Sequence, residues 1–268
     1  MTAKTIVVCA KKGGPGKSTT ALELSAGLLA LHKSVLAIDL DSQCNLSTMC
    51  NAFNSEFNSI HEVLTRKCSL DDALQTVNGL HVIPASLDLD NANVEMLNEP
   101  DRLFRLRESL EPVKNNYDYI VIDTPPAMET LTQMALCCAD RLLLVAQASQ
   151  FDIDGLFQLA NMYTQIKNYY NPELSIVGIL LTRFSERSNL RKEIRENMKQ
   201  IADQLDTSLF DTFIRENVAI PESQSLHISI WKHNKRSNGA KDYHDFLLEF
   251  LNRMNDNVTV PDILKSDI

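Results

Sequence analysis

The sequence predicts an α/β fold in which a doubly wound, mostly parallel twisted sheet is flanked by helices. Two observations support this prediction. Short, continuously apolar runs of Val, Ile and Leu recur along the chain, and helix-length segments separate them. Continuous apolar character is typical of strands that are buried on both faces, as in a parallel sheet. The helical segments would supply the crossover connections that parallel strands require.

Seven segments have the strand pattern. In chain order they are Thr5–Cys9, Val35–Asp39, Leu80–Ile83, Tyr119–Asp123, Leu142–Ala146, Ile176–Thr182 and Leu209–Ile214. Helical spacing of apolar residues is clear in Ala21–Leu31 and in Leu156–Tyr169. Because the sequence contains no repeat, linker or break in composition, we expect one domain over residues 1–254. Residues 255–268 are polar and acidic, and we expect a flexible tail there.

Charge and composition limit the possible functions. Of the 268 residues, 26 are Lys or Arg and 35 are Asp or Glu, which gives a formal net charge of −9. Binding to nucleic acid would therefore depend on a local basic patch. No apolar run reaches the roughly 18 residues of a membrane-spanning helix. Without a secretory leader we expect a cytoplasmic protein, in which the apolar run around Cys137 and Cys138 favours helix packing over redox or metal chemistry.

The strongest motif lies between the first predicted strand and the first predicted helix. It reads Lys11-Lys12-Gly13-Gly14-Pro15-Gly16-Lys17-Ser18. Lys11 replaces the first glycine of the phosphate-binding pattern G-x-x-x-x-G-K-[ST], and the last three residues match it. Small residues let backbone N–H groups curl round a phosphate, and the helix N-terminus adds positive potential. A Gly-rich turn alone would not explain a lysine followed by Ser18 and Thr19, so we predict an ATP site.

The polar side chains of this motif have separate expected roles. Lys17 should reach the β- and γ-phosphates, the Ser18 hydroxyl should ligate Mg²⁺, and Thr19 should meet the α-phosphate. The loop residues that should line the phosphates are Lys12, Gly13, Gly14, Pro15 and Gly16.

Two predicted strands end in carboxylates. The second ends in Asp39 and is followed by Asp41, and the fourth ends in Asp123. Acids at the carboxyl ends of parallel strands face the ligand crevice of a doubly wound sheet. Asp123 fits the role of a residue that holds Mg²⁺ through water. Asp39 would then act on the metal indirectly, without contacting it. The alternative is that these acids are solvated loop residues.

The pattern K-G-G-x-x-K-[ST] resembles the deviant Walker A motif of the ParA/MinD group of P-loop ATPases. Roughly residues 4–252 are similar to the ParA/Soj-type partition ATPases. The matching stretches are residues 35–47 (VLAIDLDSQCNLS), 81–87 (HVIPASL), 117–126 (YDYIVIDTPP), 177–182 (VGILLT), 209–225 (LFDTFIRENVAIPESQS) and 235–243 (KRSNGAKDY).

The resemblance implies roles for three further residues. Lys12 would reach the partner's phosphates across a nucleotide-sandwiched homodimer, although an exposed loop lysine is the simpler interpretation. Asp41 would place the attacking water, and Asn217 would lie near the adenine. The chain departs from the family pattern at Cys44, where glycine is common, and at Glu216, which replaces an arginine.

The function implied is a slow, Mg²⁺-dependent ATPase for DNA partition. Its ATP-bound dimer would bind DNA non-specifically at the nucleoid, and a ParB-like adaptor would stimulate hydrolysis. A MinD-like membrane switch is the alternative, but the final residues, NDNVTVPDILKSDI, do not form a basic amphipathic helix. A third alternative is an electron-transfer protein related to nitrogenase reductase. Such a protein would need cysteines placed to bridge a cluster across the dimer.

Two basic segments are candidates for contact with DNA. The spacing of Arg187, Arg191 and Arg195 would place them on one helical face. Acidic residues interrupt this segment, so a solvated helix with internal ion pairs explains it equally well. The second segment has no acid between its basic residues, which are Lys232, Lys235, Arg236 and Lys241. Neither segment has interleaved aromatic residues, so we expect salt-dependent phosphate contacts without sequence preference.

Overall fold

The computed structural model describes residues 2–53, 56–127, 129–185 and 189–256; of residues 150, 151 and 189–192 only the backbone is described. Within these ranges one eight-stranded sheet has the order β3-β4-β2-β5-β1-β6-β7-β8. The strands are β1 Lys4–Cys9, β2 Val35–Asp39, β3 Gln75–Val77, β4 Leu80–Ile83, β5 Tyr119–Asp123, β6 Arg141–Ala146, β7 Ser175–Thr182 and β8 Leu209–Ile214. All neighbours are parallel except β3, which runs antiparallel to β4.

Helices occupy the connections between the parallel strands, as the sequence predicts, and three more follow β8 in the described part of the chain. They are α1 Lys17–Ala30, α2 Asn45–Met49, α3 Ile60–Leu64, α4 Leu89–Glu95, α5 Arg105–Leu110, α6 Thr130–Cys138, α7 Gln150–Tyr169, α8 Asn189–Gln204, α9 Ala219–Ser225, α10 Ile230–Asn234 and α11 Asn238–Arg253. Among the described residues, no helix combines the length and apolar character needed to cross a membrane.

The sheet is covered on both faces, which confirms the interpretation of the apolar runs. Along β1, Val7 and Cys9 pack into one hydrophobic cluster, and Ile6 and Val8 pack into the other. The first cluster includes the apolar sides of α6, α7 and α8, and the second those of α1, α10 and α11. The thiols of Cys137 and Cys138 are buried in α6, as predicted. Burial raises their pKa to about 11 and about 12.

Strand β3 is the element that the apolar pattern missed. It has only three residues, it lies at the sheet edge and none of its side chains is fully buried. A sequence signal was nevertheless present, because Asn78 and Gly79 follow it with φ of 51° and 83°. An Asn-Gly pair with positive φ at both residues is the preferred two-residue hairpin turn.

The fold brings three strand ends together. β1 lies between β5 and β6, and β2 lies on the far side of β5. The register pairs Asp39 with Asp123, and Val8 with Asp123 on the other side. The loop after β1 therefore leaves the sheet beside both acids, and this is where a ligand crevice is expected in a doubly wound sheet.

Candidate active site

The loop between β1 and α1 is held in shape from several sides. Gly14 and Gly16 have φ of 95° and 89°, a region that favours glycine, and Gly16 is the N-cap of α1. The side-chain amide of Gln147 donates to the Gly14 carbonyl at 3.2 Å, and the Thr182 hydroxyl donates to the Pro15 carbonyl. The loop that the motif predicts is therefore anchored to the ends of β6 and β7.

Lys17 is the buried cation of the site. Its side chain is 6% exposed, and its Nζ lies 2.7 Å from Asp123 Oδ1 and 3.5 Å from Asp41 Oδ2. Burial alone lowers the pKa of Lys17, but the carboxylates of Asp123, Asp41 and Asp39 more than compensate and raise it. Lys17 is therefore a charged ammonium at the point where the loop meets α1.

One carboxylate oxygen of Asp123 lacks a hydrogen bond of normal geometry in the described part of the chain, although the Ser18 hydroxyl lies close enough to the carboxylate to lower its pKa. The residue is fully buried, and Lys17 contacts only Oδ1, whereas Oδ2 has no hydrogen-bond partner. Burial raises the pKa of Asp123, and the charge of Lys17 opposes that rise. An orphaned carboxylate oxygen needs an explanation in a folded protein. Together with the Ser18 hydroxyl, 3.5 Å from Lys17 Nζ, it fits the oxygen ligands that Mg²⁺ prefers.

The described residues contain no group of three or more His, Cys, Asp or Glu side chains arranged to hold a metal ion.

Asp39 organises the segment after β2. Its Oδ1 accepts from the Asp41 N–H at 3.0 Å, and its Oδ2 accepts from the Ser47 N–H at 2.8 Å and the Ser47 hydroxyl at 2.7 Å. Burial, together with the charge of Asp123, raises the pKa of Asp39 to about 7. Both oxygens are engaged by the chain, so any part that Asp39 has in holding a metal is indirect. Ser47, which also accepts from the Ala85 N–H at 2.9 Å, had no predicted role.

Asp41 is in reach of both the loop and the crevice. It is 4% exposed, and its Oδ1 accepts from the Gln43 N–H at 3.1 Å, which closes a tight turn. Cys44 follows with a φ of 53° and caps α2. Glycine adopts this conformation without strain, so Cys44 is a more costly residue here than glycine would be.

Lys12 and Lys11 are placed differently although they are neighbours. Lys12 is exposed on the loop, together with Gly13 and Gly14. The stem of Lys11 packs on α7, since a Cβ added to Gly155 would lie 2.8 Å from Lys11 Cβ. The lysine that replaces the first glycine of the pattern is thus a packing residue, and Lys12 is the one that faces outward.

A cavity of about 320 Å³ opens beside the loop, between α1 and α9. Pro15, Ile214 and Pro221 line it with apolar surface, and Asn217 and Gln224 line it with amides. Gln224 was missed by sequence reasoning; its amide donates to the Thr19 hydroxyl at 2.7 Å, across 205 positions of sequence. The Asn217 side-chain oxygen accepts from the Ala219 N–H at 2.9 Å. Apolar walls with a few amide groups suit a flat heterocyclic base.

The first predicted basic face is only partly described. Arg187 lies outside the described residues, and the side chain of Arg191 is also outside them. Arg195 is half-buried, and its guanidinium lies 5.9 Å from the centre of the Phe184 ring, so its predicted contact with DNA stays a prediction. This contact with the ring is a packing contact.

The second basic segment forms the corner between α10 and α11. Lys232, Arg236 and Lys241 are exposed there, and Lys235 is half-buried. We call these four residues the basic corner. The fold also brings an acid to this corner, since Glu222 of α9 contacts His233 Nε2 at 3.0 Å.

The chain is similar to known proteins over most of its length. A family model described as an AAA domain matches residues 3–176. The sporulation initiation inhibitor protein Soj of Bacillus subtilis is 34% identical over 92% of this chain and 97% of its own length. The chromosome partitioning protein ParA of Myxococcus xanthus is 33% identical over 89% of this chain and 84% of its own. A plasmid partition protein of Borrelia burgdorferi, solved with AMPPNP, is 27% identical with a TM-score of 0.78, covering 94% of this chain and 99% of that one.

Proposed function

The chain belongs to the ParA/Soj-type ATPases of the AAA-domain family, and from this premise we propose that it is a DNA-partition ATPase. In the proposed cycle, ATP joins two copies of the chain in a sandwich dimer that binds DNA without sequence preference at the nucleoid. Hydrolysis, stimulated by a ParB-like adaptor, separates the dimer and releases the DNA. The observation that carries the proposal is the convergence of Lys17, Asp41 and Asp123 beside the exposed Lys12.

The first step is an exchange of partners at Lys17. Its ammonium contacts Asp123 at 2.7 Å, and the phosphates of ATP would give it a second anionic partner in the same crevice. When Lys17 turns to the β- and γ-phosphates, both oxygens of Asp123 become available. Ser18 and Asp123 would then hold Mg²⁺, which neutralises charge between the β- and γ-phosphates. Asn217 and Gln224 would contact the base in the cavity beside the loop.

Hydrolysis depends on one buried acid and one exposed lysine. Asp41 lies beside Lys17 with one oxygen fixed by the Gln43 N–H, which supports a role in placing the attacking water. Lys12 would come from the partner copy and stabilise the charge of the transferring phosphoryl group, as an arginine finger does in other nucleotide hydrolases. A cycle built on a long-lived ATP state needs slow intrinsic turnover.

The basic corner is the DNA surface of this proposal. Its four basic residues stand on one corner of a chain whose net charge is −9, and pairing two copies in a dimer doubles the number of phosphate contacts. Since each phosphate contact releases counterions, binding by the dimer should be steeply dependent on salt. This is how dimer formation by ATP would become a switch for DNA binding.

The test measures binding to a random-sequence DNA duplex with ATP, with ADP and without nucleotide, and the mass of the protein in each state. We expect a dimer and tight binding only with ATP. Lys12→Ala should lose both, because the cross-dimer contact is gone. Lys67→Ala is the matched control, since it removes an exposed lysine that is not part of the loop. The Lys67 ammonium lies 3.0 Å from the Glu95 carboxylate. A Lys12→Ala protein that still forms the DNA-bound dimer would refute the sandwich arrangement.

The same samples should be mixed with vesicles that contain anionic lipid. The partition proposal predicts no ATP-dependent binding to these vesicles. Recruitment to vesicles by ATP, without binding to DNA, would instead favour the MinD-like membrane switch. Addition of a ParB-like adaptor from the same genome should raise ATP turnover in the wild type and not in Asp41→Ala.

A further inference from the structure

A second cavity lies against the other half of α1, away from the phosphate-binding loop. Its volume is about 570 Å³, and it is bounded by α1, α2, the β3–β4 hairpin and the loop between α9 and α10. Its apolar lining comprises Leu22, Ala26, Leu29, Ala30, Met49, Val77, Leu80, Ile228 and Trp231. This size and this lining are typical of pockets that bind small molecules.

The cavity is held open by fixed contacts of its walls. A Cβ at Gly27 would lie 2.6 Å from the Trp231 ring, so the ring packs tightly against the backbone of α1. The Trp231 Nε1–H donates to the Ala240 carbonyl at 3.2 Å, and the buried Glu23 carboxyl accepts from the Ile230 N–H at 3.0 Å. Trp231 is therefore unable to swing in and fill the space. A cavity that exists before binding needs little reorganisation to accept a ligand.

Among the described residues that line this cavity, the one with a formal charge is Lys232, which is positive. Lys232, His32 and His227 line it, and none of the described residues that line it is an Asp or a Glu. This contrasts with the formal net charge of −9 for the whole chain. His227 is fixed, because its Nδ1 lies 2.7 Å from the Thr48 carbonyl oxygen of α2. An apolar body with an anionic group at one end would match both the lining and the charge.

We propose that this cavity is a binding site for a small anionic amphiphile, such as a medium-chain carboxylate, with its head group at Lys232. The site is separate from the nucleotide crevice and goes beyond the partition function. It lies against α1, which begins at the phosphate-binding loop, and against α2, whose Ser47 binds Asp39.

Trp231 provides a direct measurement, since it is the one tryptophan of the chain and lines the cavity. Its fluorescence should be followed during titration with dodecanoate below the micellar concentration, in saturating ADP so that the nucleotide crevice is filled. We expect a saturable change, with dodecanoate binding about tenfold more tightly than dodecyltrimethylammonium of the same chain length. No saturable change, or equal affinity for the two, would overturn the proposal.

Two pairs of variants locate the site. Ala26→Phe should fill the cavity and abolish the dodecanoate response, whereas Val94→Phe, at an exposed position of α4, should leave it unchanged. Lys232→Ala, a change at an exposed position, should weaken dodecanoate binding about tenfold. Lys235→Ala, which does not line the cavity, should have no effect on it. If Ala26→Phe or Lys232→Ala bound dodecanoate as the wild type does, the ligand would lie elsewhere.

Discussion

The nucleotide crevice and the basic corner differ in how far their charged residues are exposed to water. Lys17, Asp39, Asp41 and Asp123 are buried, and their mutual contacts fix each position. The basic corner consists of side chains that are mostly in water, and its expected ligand is a uniform polyanion. A buried site acts through geometry, so one substitution should remove its function. An exposed site acts through summed charge, so each residue should contribute little.

The largest effect is expected for Lys17→Ala. The variant loses the cation that would hold the β- and γ-phosphates, and we expect ATP turnover to fall by at least about a hundredfold. Fluorescent ATP binding and phosphate release measure this loss. Lys67→Ala is again the control for removal of a lysine charge. Turnover within about threefold of the wild type would mean that the buried cation is structural. It would also contradict the expectation that one substitution removes the function of a buried site.

Glu23 gives the next largest effect, through pH. Burial raises its pKa to about 8, above the roughly 4.3 of an unfolded chain. The folded state thus binds the proton of Glu23 more tightly than the unfolded chain does. This proton binding stabilises the folded state fully below about pH 4, and the stabilisation is lost as pH rises through 8. The loss should approach about 1.4 kcal/mol per pH unit between about pH 5 and pH 8.

Glu23→Gln, which is neutral at every pH, should lack this dependence. Urea unfolding of wild type and variant from about pH 5 to pH 8 measures it, as the difference in free energy of unfolding that develops with pH. Glu111→Gln, an exposed position, should follow the wild type. Parallel curves for the wild type and Glu23→Gln would show that Glu23 does not hold its proton in the folded state.

Ser47 tests whether the segment after β2 depends on buried hydrogen bonds. Ser47→Ala removes the hydroxyl that donates to Asp39 and accepts from the Ala85 N–H. Because this leaves buried polar groups unsatisfied, we expect a loss of about 1–3 kcal/mol in the free energy of unfolding. Ser25→Ala is a matched control, since among the described residues the recorded hydrogen bond of its buried hydroxyl goes to the Ala21 carbonyl within α1. Equal losses in the two variants would contradict a special role for Ser47.

Sequence reasoning reached the fold and the motif residues for physical reasons that are local. A strand buried on both faces has a continuous apolar run, and the P-loop has a fixed spacing, so both can be recognised in one chain. The contacts of Gln224 with Thr19 and of Glu23 with Ile230 join residues about 200 positions apart, and a single sequence carries no signal for them. Helical spacing likewise carries no signal for the approach of the Arg195 guanidinium to the Phe184 ring.

Arg195 and the basic corner give the smallest expected effects. They also give the sharpest test of whether exposed basic residues form the DNA surface. Lys241→Ala should weaken ATP-dependent DNA binding only a few-fold. It should also reduce the slope of log affinity against log salt by about one for each phosphate that the dimer no longer neutralises. Arg195→Ala should leave that slope unchanged. It should instead lower the free energy of unfolding by about 0.5–1 kcal/mol, since the guanidinium packs over Phe184.

Filter binding or fluorescence anisotropy over a series of salt concentrations gives the slope, and urea unfolding gives the stability. The two variants remove the same formal charge, so summed charge alone predicts the same change in slope for both. A change of slope that occurs in Lys241→Ala and not in Arg195→Ala would therefore place the phosphate contacts at the corner between α10 and α11. The reverse result would move the DNA surface to α8 and would show that exposure is a poor guide to phosphate contact in this protein.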